Sequence, residues 1–310
     1  MFCIASFVVL SIMGIFSATN RQLAREALDC VFRRITLRPC NTGFDTKMKA
    51  KILGSVINRS ERAARFINKN FEVLSWIFFI LLVAASVMSA RGLYLFYVSG
   101  SCNGLNQEAF CVFDPTGKNN QVSTVEGCPV TQVKPQNVTL QGVDLSGFPV
   151  LNSGTTDRIV FIGSYGCDYT RATYPQVKAM ADKFKVSFTY MEYPVKESSD
   201  LLSRVGTCVY QQDQAAYWKL NDILFKTDKA NLGDETFIQN TLSGLGLDAA
   251  SITTCAGSAA TRDTVTKQLA QVTKTNFYGT PTVFINGGEA LIGPKPYRVY
   301  AIQLRGLWYW

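Results

Sequence analysis

A single cysteine stands at the point where an apolar run gives way to a helical pattern. In GSYGCDYT, residues 163–170, Cys167 follows the run RIVFI, and Thr170 lies three residues further on. A thiol at the start of a helix faces unsatisfied N–H groups and the positive end of the helix dipole, which favour the thiolate. Because the thiolate is the nucleophilic form of cysteine, this position predicts attack on disulfides.

The neighbours of Cys167 act in opposite directions. The hydroxyl of Thr170, one turn along the helix, can donate to the thiolate and support it. Asp168 places a negative charge beside the sulfur and opposes the same ionisation. The segment C-x-x-T contains no second thiol. Cys167 could therefore form a mixed disulfide with a client, but no cysteine of that segment could release the client.

The 310 residues include nine cysteines and no histidine. The absence of histidine excludes histidine-based catalysis and histidine metal ligation, and we find no metal cluster or phosphate loop. Cys30 and Cys40 lie in a basic loop at a spacing that matches no zinc or haem pattern, and we expect buried thiols there. Cys102, Cys111 and Cys128 lie in a segment rich in Gly, Asn, Gln and Thr, where pairing of two leaves one over.

The segment around Cys167 alternates between strand and helix patterns. RIVFIGSY predicts a strand, CDYTRATYPQVKAMADKF a helix and VSFTYMEYPV a second strand. A long helical stretch follows from about 197 to 276. PTVFING and EALIG then predict two short strands joined at a Gly-Gly turn, and PYRVYAIQL predicts a last helix. This is the thioredoxin layout, a strand–helix–strand unit followed by a hairpin and a helix, with a helical insertion in the middle.

Residues 155–310 resemble the DsbA-like branch of the thioredoxin superfamily. Cys167 begins the first helix, Pro175 lies eight residues further on where the family kinks that helix, and YPV at 193–195 resembles the family's strand ending. CVYQQDQAAYWKLNDILF resembles the part of the insertion in which a cysteine, a glutamine and an aromatic pair lead into a helix. YGTPTVFING resembles the segment whose Thr-Pro bond is cis in the family.

The resemblance implies an α/β thioredoxin-like fold and thiol–disulfide exchange at Cys167, with Thr170 supporting the thiolate. It assigns Thr280, Pro281 and Tyr169 to the groove that holds the client. The implied partners are cysteine-containing extracytoplasmic proteins and a membrane or small-thiol redox partner. No cofactor and no metal are implied, since the electrons come from thiols. The departure from the family is C-x-x-T in place of C-x-x-C.

The missing thiol leaves three routes for releasing a client from Cys167. An external thiol, the client's own second thiol or another cysteine of this chain could do so, and the last route nominates Cys128, the nearest of the linker cysteines in sequence. Cys208 and Cys255 both lie in the helical insertion, and we expect a structural disulfide between them. A non-catalytic alternative stays open, in which the fold binds extended segments beside Pro281 by β-strand addition.

Two uncharged apolar runs predict membrane spans. Residues 2–18 and 73–90 each approach the roughly 20 residues that cross a bilayer. A cleaved secretory signal is the alternative for the first run, but no basic residue precedes its apolar core. The second run is flanked by aromatic side chains that fit an interfacial belt, namely Trp76, Tyr94, Phe96 and Tyr97.

Basic residues dominate the segment between the two runs, residues 19–70, where twelve Lys or Arg stand against four Asp or Glu. Positive loops between spans stay on the cytoplasmic side, so both chain ends are expected outside. This excess of basic residues accounts for most of the net charge of +8, and contact with anionic lipid is its simplest explanation. No nucleic-acid motif accompanies it. Apolar residues at helical spacing predict two amphipathic helices, which either lie on the membrane or pack on each other.

The sequence thus predicts five regions. They are a transmembrane helix at 1–18, a basic cytoplasmic loop at 19–70, a second transmembrane helix at 71–98, a cysteine-containing linker at 99–154 and an extracytoplasmic DsbA-like domain at 155–310.

Overall fold

The structure is a computed structural model that describes residues 18–36, 44–57, 60–107, 109–119, 137–194 and 197–308. It divides into two compact units, one up to residue 91 and one from residue 92 onward. Helices make up the described part of the first unit, and the second unit combines helices with a β-sheet.

The described helices of the first unit are α1 (Ala18–Ile35), α2 (Phe44–Ile57), α3 (Glu61–Lys69) and most of α4 (Phe71–Ser99). The hydroxyl of Ser60 accepts the N–H of Ala63 at 3.4 Å and caps the start of α3. The second of the two amphipathic helices expected in the basic loop is therefore divided into α2 and α3.

Cys30 departs from the sequence prediction of a buried thiol. It is buried in α1, but it is disulfide-bonded, and its partner lies outside the described residues. Cys40 also lies outside them. The prediction was wrong because it argued from the redox compartment alone, and a compartment gives no information on which sulfur atoms lie within bonding distance.

Among the described residues, one helix is long and apolar enough to cross a membrane, not the two that the sequence predicts. This helix is α4, whose 29 residues correspond to about 43 Å at a rise of about 1.5 Å per residue. Residues 2–17 of the other expected span lie outside the described residues. The helix that begins at Ala18 carries charged side chains such as Arg25 and Asp29, which do not suit a bilayer core.

A five-stranded sheet forms the centre of the second unit, in the order β1-β3-β2-β4-β5. Its strands are β1 (Val150–Leu151), β2 (Arg158–Gly163), β3 (Ser187–Glu192), β4 (Thr282–Ile285) and β5 (Leu291–Ile292). Strands β2 and β3 run parallel and are connected by helix α5 (Asp168–Phe184), whereas the other pairs are antiparallel. The edge strand β1 lies in the segment expected to be linker.

Strand β2 is buried on both faces, which explains its continuous apolar run. Ile159 and Phe161 belong to one core cluster, and Val160 and Ile162 belong to a second. Successive side chains of a strand point to opposite faces, so the two clusters lie on the two sides of the sheet. The turn that follows β2 therefore starts from the middle of the core.

The long helical stretch expected after β3 is a set of separate helices. They are α6 (Glu197–Gln212), α7 (Gln214–Lys226), a short 3₁₀ helix (Lys229–Asn231), α8 (Glu235–Gly244), α9 (Ala249–Gly257) and α10 (Ala259–Lys274), and α11 (Tyr297–Arg305) follows the hairpin. Asp213, Asp234 and Asp248 accept backbone N–H groups at the starts of α7, α8 and α9. The order of elements is the thioredoxin layout with a helical insertion.

Candidate active site

Cys167 occupies the N-terminal cap of α5. Its backbone N–H donates to the carbonyl oxygen of Ser164 at 3.2 Å, and its own carbonyl accepts the N–H of Arg171 at 3.0 Å. The side chain makes no capping hydrogen bond and is fully buried. Because β2 ends at Gly163, a short turn carries the chain from the sheet into the helix and leaves the sulfur at the positive end of the dipole.

The loop before β4 lies against this sulfur. Cys167 Sγ is 3.5 Å from the carbonyl oxygen of Thr280. The peptide bond between Thr280 and Pro281 is cis, as the resemblance implies. The hydroxyl of Thr282 donates to the carbonyl of Gly279 at 2.6 Å and fixes the loop. The structure thus brings together three of the residues that the sequence nominates, Cys167, Thr280 and Pro281.

Cys167 is disulfide-bonded in this structure. The other described cysteines of the second unit form two pairs, Cys102–Cys111 and Cys208–Cys255, with S–S distances of 2.02 and 2.01 Å. The partner of Cys167 therefore lies outside the described residues. Cys128, the nominated resolving cysteine, lies outside them as well.

Thr170 turns back toward the end of β2. Its side chain is buried, and its hydroxyl oxygen accepts the N–H of Ser164 at 3.4 Å. A Cβ atom at Gly163 would lie 2.6 Å from Cγ2 of Thr170 and 2.7 Å from Cε1 of Phe161, so glycine is required there. Sequence reasoning missed this role of Gly163, and the signal was a glycine that ends an apolar strand. Support of the thiolate by Thr170 stays a prediction.

The charge of Asp168 has a partner in the helical insertion. Lys229 Nζ lies 2.8 Å from Oδ1 of Asp168, and both side chains are solvent-exposed. This ammonium group offsets the negative charge that the sequence analysis expects to oppose ionisation of Cys167. The two residues are 61 positions apart in the chain, and no local pattern connects them.

Arg171 joins the turn to the helical insertion. Its guanidinium group donates to the carbonyl oxygens of Tyr165 at 3.1 Å and Leu224 at 3.2 Å, and also to the carbonyl of Thr227. Partial burial lowers the pKa of Arg171 from its ordinary value. The Arg171 guanidinium is thus held by three carbonyl groups, one in the turn between β2 and α5 and two near the end of α7. These contacts fix the shape of the turn before α5.

A buried polar chain runs beneath the turn. The hydroxyl of Tyr165 donates to Oδ1 of Asn221 at 2.5 Å, and Nδ2 of Asn221 donates to the hydroxyl of Tyr174 at 3.0 Å. The Tyr174 hydroxyl donates to Asp222 at 3.1 Å, which also pairs with Lys178 at 3.0 Å. Burial raises the pKa of Tyr165 and of Tyr174, so both remain neutral donors. The chain ties the turn and α5 to α7.

A small polar cavity of about 30 Å³ lies beside Tyr165 and is also lined by Tyr190, Glu192 and Tyr217. Oε1 of Glu192 and the hydroxyl of Tyr190 are buried and have no hydrogen-bond partner among the described residues. Glu192 as a whole is partly exposed, but burial of its carboxyl raises its pKa well above the ordinary value. Glu192 is opposite Gly163 in the sheet, so this carboxyl lies at the site end of β3.

Comparison with known families agrees with this architecture. Residues 169–305 match the family described as the DSBA-like thioredoxin domain. The second unit contains a DSBA-like thioredoxin domain. The matched range begins two residues after Cys167, so the match concerns the fold and leaves the chemistry of the C-x-x-T segment to the geometry.

Individual relatives of this DSBA-like domain are distant. A probable disulfide bond formation protein D from Bacillus anthracis is 24% identical over 145 residues, which are 43% of this chain and 66% of that protein. Oxidised BdbD from Bacillus subtilis is 18% identical, with a TM-score of 0.44, over 51% of this chain and 89% of that one. A thioredoxin-like oxidoreductase from Silicibacter pomeroyi is 22% identical, with a TM-score of 0.46, over 51% and 90% of the two chains.

The remaining nominated residues lie elsewhere in the DSBA-like domain. Tyr169 is partly exposed on the first turn of α5. The disulfide between Cys208 and Cys255 connects α6 to α9, and each sulfur lies 3.5 Å from the hydroxyl oxygen of Thr261. In the described part of the chain, no group of three or more His, Cys, Asp or Glu side chains could hold a metal ion.

Proposed function

We propose that the protein is a membrane-anchored thiol–disulfide oxidoreductase in which Cys167 is the nucleophile and Cys128 is the resolving cysteine. The observation that carries the proposal is the position of the disulfide-bonded Cys167, at a helix start and 3.5 Å from the carbonyl of Thr280 beside cis-Pro281. A helix N-terminus stabilises a departing thiolate, and exchange is faster when the leaving sulfur is a stable anion.

The assignment of Cys128 follows from the order of the chain. Four cysteines of the second unit pair with each other, so the candidates for Cys167 outside the described residues are Cys3, Cys40 and Cys128. Cys3 and Cys40 precede α4, whereas Cys128 and Cys167 both follow it. If α4 crosses the membrane, Cys40 lies on the opposite side from Cys167, and we choose Cys128 over Cys3 because Cys128 belongs to the same compact unit as Cys167.

The proposed reaction is a pair of thiol–disulfide exchanges. A client thiolate attacks Sγ of Cys167, and the bond to Cys128 breaks as that sulfur leaves with its electron pair and takes up a proton. The second client thiolate then attacks the client sulfur of the mixed disulfide and releases the thiolate of Cys167. The client loses two electrons and two protons, and the Cys128–Cys167 pair gains them. The relative reduction potentials decide whether the reaction runs in this direction, in reverse or as isomerisation.

The loop before β4 supplies the proposed client contacts. The carbonyl of Thr280 faces the sulfur, so a client in extended conformation beside Pro281 can donate a backbone N–H to this loop while its cysteine reaches Cys167. Tyr169, partly exposed on the first turn of α5, adds an aromatic contact to the client. The hydroxyl of Thr170 can turn from Ser164 toward the thiolate when Cys167 is reduced.

We propose that α4 anchors the DSBA-like domain outside the cytoplasm. The residues just before α4 include Arg62, Arg65 and Lys69, and positive residues remain on the cytoplasmic side of a span. The disulfides of the second unit fit an oxidising surrounding, and the bonded state of Cys30, which precedes α4, is not explained by this orientation. Protease treatment of sealed vesicles, with and without detergent, checks the orientation. A domain on the outer face of the vesicle is digested without detergent, whereas an enclosed domain is digested only after detergent opens the membrane.

Oxidised glutathione provides the test of the two cysteine roles. The full chain in lipid nanodiscs is reduced under mild conditions and mixed with glutathione disulfide, and its thiols are mapped by mass spectrometry. The wild type should form the Cys128–Cys167 disulfide and release two equivalents of glutathione. Cys128→Ser should stop at a Cys167–glutathione mixed disulfide and release one equivalent, because no second thiol resolves it.

Two variants make the result decisive. Cys167→Ser should form no mixed disulfide at this site, and the paired variant Cys102→Ser, Cys111→Ser should behave like the wild type. If Cys128→Ser also releases two equivalents, another cysteine of this chain resolves the mixed disulfide, and the assignment of Cys128 is wrong. If Cys167→Ser oxidises a two-cysteine peptide as fast as the wild type, the domain is the non-catalytic binding module.

A further inference from the structure

A short loop after α4 exposes a group of apolar side chains. Phe110 and Val112 are each 74% exposed, and Phe113 is 46% exposed. Together these three residues form what we call the apolar tip. Large neighbouring apolar side chains that are exposed on a soluble domain usually mark a site that binds a membrane or another protein, so we expect the apolar tip to be covered.

The backbone of the apolar tip is held in place. Cys111, between the exposed residues, is buried and bonded to Cys102, and the side chain of Asn103 donates to the carbonyl of Ala109 at 2.9 Å. The carboxylate of Asp114 accepts the backbone N–H groups of Lys118 at 3.2 Å and Asn119 at 2.9 Å. The disulfide and these hydrogen bonds fix the backbone on both sides of the exposed side chains, so the apolar tip keeps its shape.

The apolar tip lies against the last turns of α4. The rings of Phe113 and Phe96 are 5.7 Å apart between centroids. The guanidinium group of Arg298, from α11, lies 5.0 Å from the centroid of the Phe96 ring and donates to the carbonyls of Phe96 at 3.2 Å and Tyr97 at 3.1 Å. The end of the apolar helix, the apolar tip and the DSBA-like domain are therefore packed together within the second unit.

We propose that the apolar tip inserts into the lipid–water interface of the membrane that α4 crosses. The proposal rests on the proposed span. Helix α4 exceeds the roughly 30 Å thickness of a bilayer core, and its uncharged run ends at Ala90, so Phe96 lies at the level of the lipid headgroups. The apolar tip touches Phe96 and so lies at the same depth, where aromatic side chains are most stable.

This second contact changes what the anchor does. A domain tethered by one helix alone can rotate and tilt freely, but a domain that also inserts the apolar tip keeps a fixed side toward the lipid. The bilayer is the favoured occupant because the patch is continuous with the end of the apolar helix through the Phe113–Phe96 contact. A protein partner on the same surface is the competing outcome of the test.

Photocrosslinking of the full chain in native-like vesicles tests the proposal. The photoreactive residue p-benzoylphenylalanine replaces Phe110 in one variant and Val112 in a second, and lipid adducts are detected by mass spectrometry. The same probe at Leu81, which is 62% exposed on α4, reports on the span itself. The same probe at Asn240, exposed on α8 in the helical insertion, is the control for a domain surface that lacks the patch.

Lipid adducts at positions 110, 112 and 81, with none at 240, are the expected result. Adducts at 81 alone would overturn the insertion of the apolar tip while leaving the span intact, and adducts at none of the four positions would overturn both. Adducts between position 110 or 112 and a protein would replace lipid by a protein partner. Because Phe110 and Val112 pack little against the domain, the probe is not expected to disturb folding.

Discussion

The two disulfide-bonded regions of the DSBA-like domain are alike in burial and different in surroundings. Cys167 is fully buried and Cys208 is 2% exposed, so solvent access does not distinguish them. Cys208 lies within α6 and is bonded to Cys255 of α9, and Thr261 contacts both sulfurs. Cys167 instead caps the start of α5 and faces the carbonyl of Thr280.

The difference shows that burial alone is a poor guide to cysteine function. The sulfur of Cys208 has the Thr261 hydroxyl beside it but no helix N-terminus, whereas the sulfur of Cys167 faces the free N–H groups at the start of α5. The first arrangement suits a bond that stays closed, and the second suits a bond that opens and closes.

Loss of each cysteine should affect different properties. Cys167→Ala should reduce oxidation of a two-cysteine peptide to the uncatalysed rate, because the attacked sulfur is gone. The paired variant Cys208→Ala, Cys255→Ala should retain most of the activity of the folded protein, measured at a temperature where it stays folded. Equal loss of activity in both variants would contradict the distinction between an exchanging and a structural disulfide.

Stability should show the reverse order. Removing the Cys208–Cys255 bond, which spans a separation of 47 residues, should lower the free energy of unfolding of the domain by roughly 2–4 kcal/mol in denaturant titrations. Opening the bond at Cys167 by mild reduction should lower the free energy of unfolding by a smaller amount. In stepwise reduction followed by alkylation, Cys167 should become labelled at milder reductant than Cys208 and Cys255.

The close packing at Gly163 should make the redox turn sensitive to a single methyl group. Gly163→Ala should destabilise the domain by roughly 1–3 kcal/mol, because the new Cβ would lie 2.6 Å from Thr170 in the core. Gly257→Ala is the matched control, since no atom lies within 4 Å of its Cβ position. Thermal and denaturant unfolding of the two variants give the comparison, and an unchanged Gly163→Ala midpoint would show that the turn can relax.

The raised pKa of Glu192 should give the domain a pH-dependent stability. Its pKa in the folded state is raised above the ordinary value of 4.5, so its stabilising contribution is full below pH 4.5 and is lost as the pH rises toward the folded-state pKa. Because the raised pKa makes the folded protein bind the proton more tightly than the unfolded chain, the free energy of unfolding should fall with rising pH above 4.5, and it should fall less in Glu192→Gln. Glu289→Gln, at an exposed site, is the control, and identical slopes in all three proteins would contradict the assignment.

Local sequence patterns were enough to predict the elements that hold Cys167. The apolar run of β2, the helix after it and the Thr-Pro segment before β4 each carry their own signal in consecutive residues. The cysteine pair was expected because both cysteines lie in the helical insertion, and the cis bond before Pro281 was expected from the resemblance; both are present in the structure. The division of the insertion into separate helices depends on single capping residues such as Asp213 and Asp248, which are weak signals in isolation.

The contacts beneath and beside the turn could not be predicted in the same way. The Tyr165–Asn221 hydrogen bond and the Asp168–Lys229 ion pair join residues 56 and 61 positions apart. Such pairs depend on how the insertion folds back onto α5, and that arrangement follows from tertiary packing and not from local spacing. The disulfide state of Cys30 failed for a similar reason, since proximity in space decides which cysteines can bond.

The Asp168–Lys229 ion pair should have only a small effect on the reactivity of Cys167. Lys229→Gln leaves the charge of Asp168 uncompensated and should slow alkylation of reduced Cys167 by about twofold, because an exposed charge acts only weakly through water. Asp168→Asn should accelerate the same reaction by a similar factor, and Lys219→Gln, a substitution at an exposed lysine on α7, should leave it unchanged. Because both partners are exposed, raising the salt concentration to about 1 M should remove the differences. If they persist at high salt, the pair acts by positioning the turn and not through its charge.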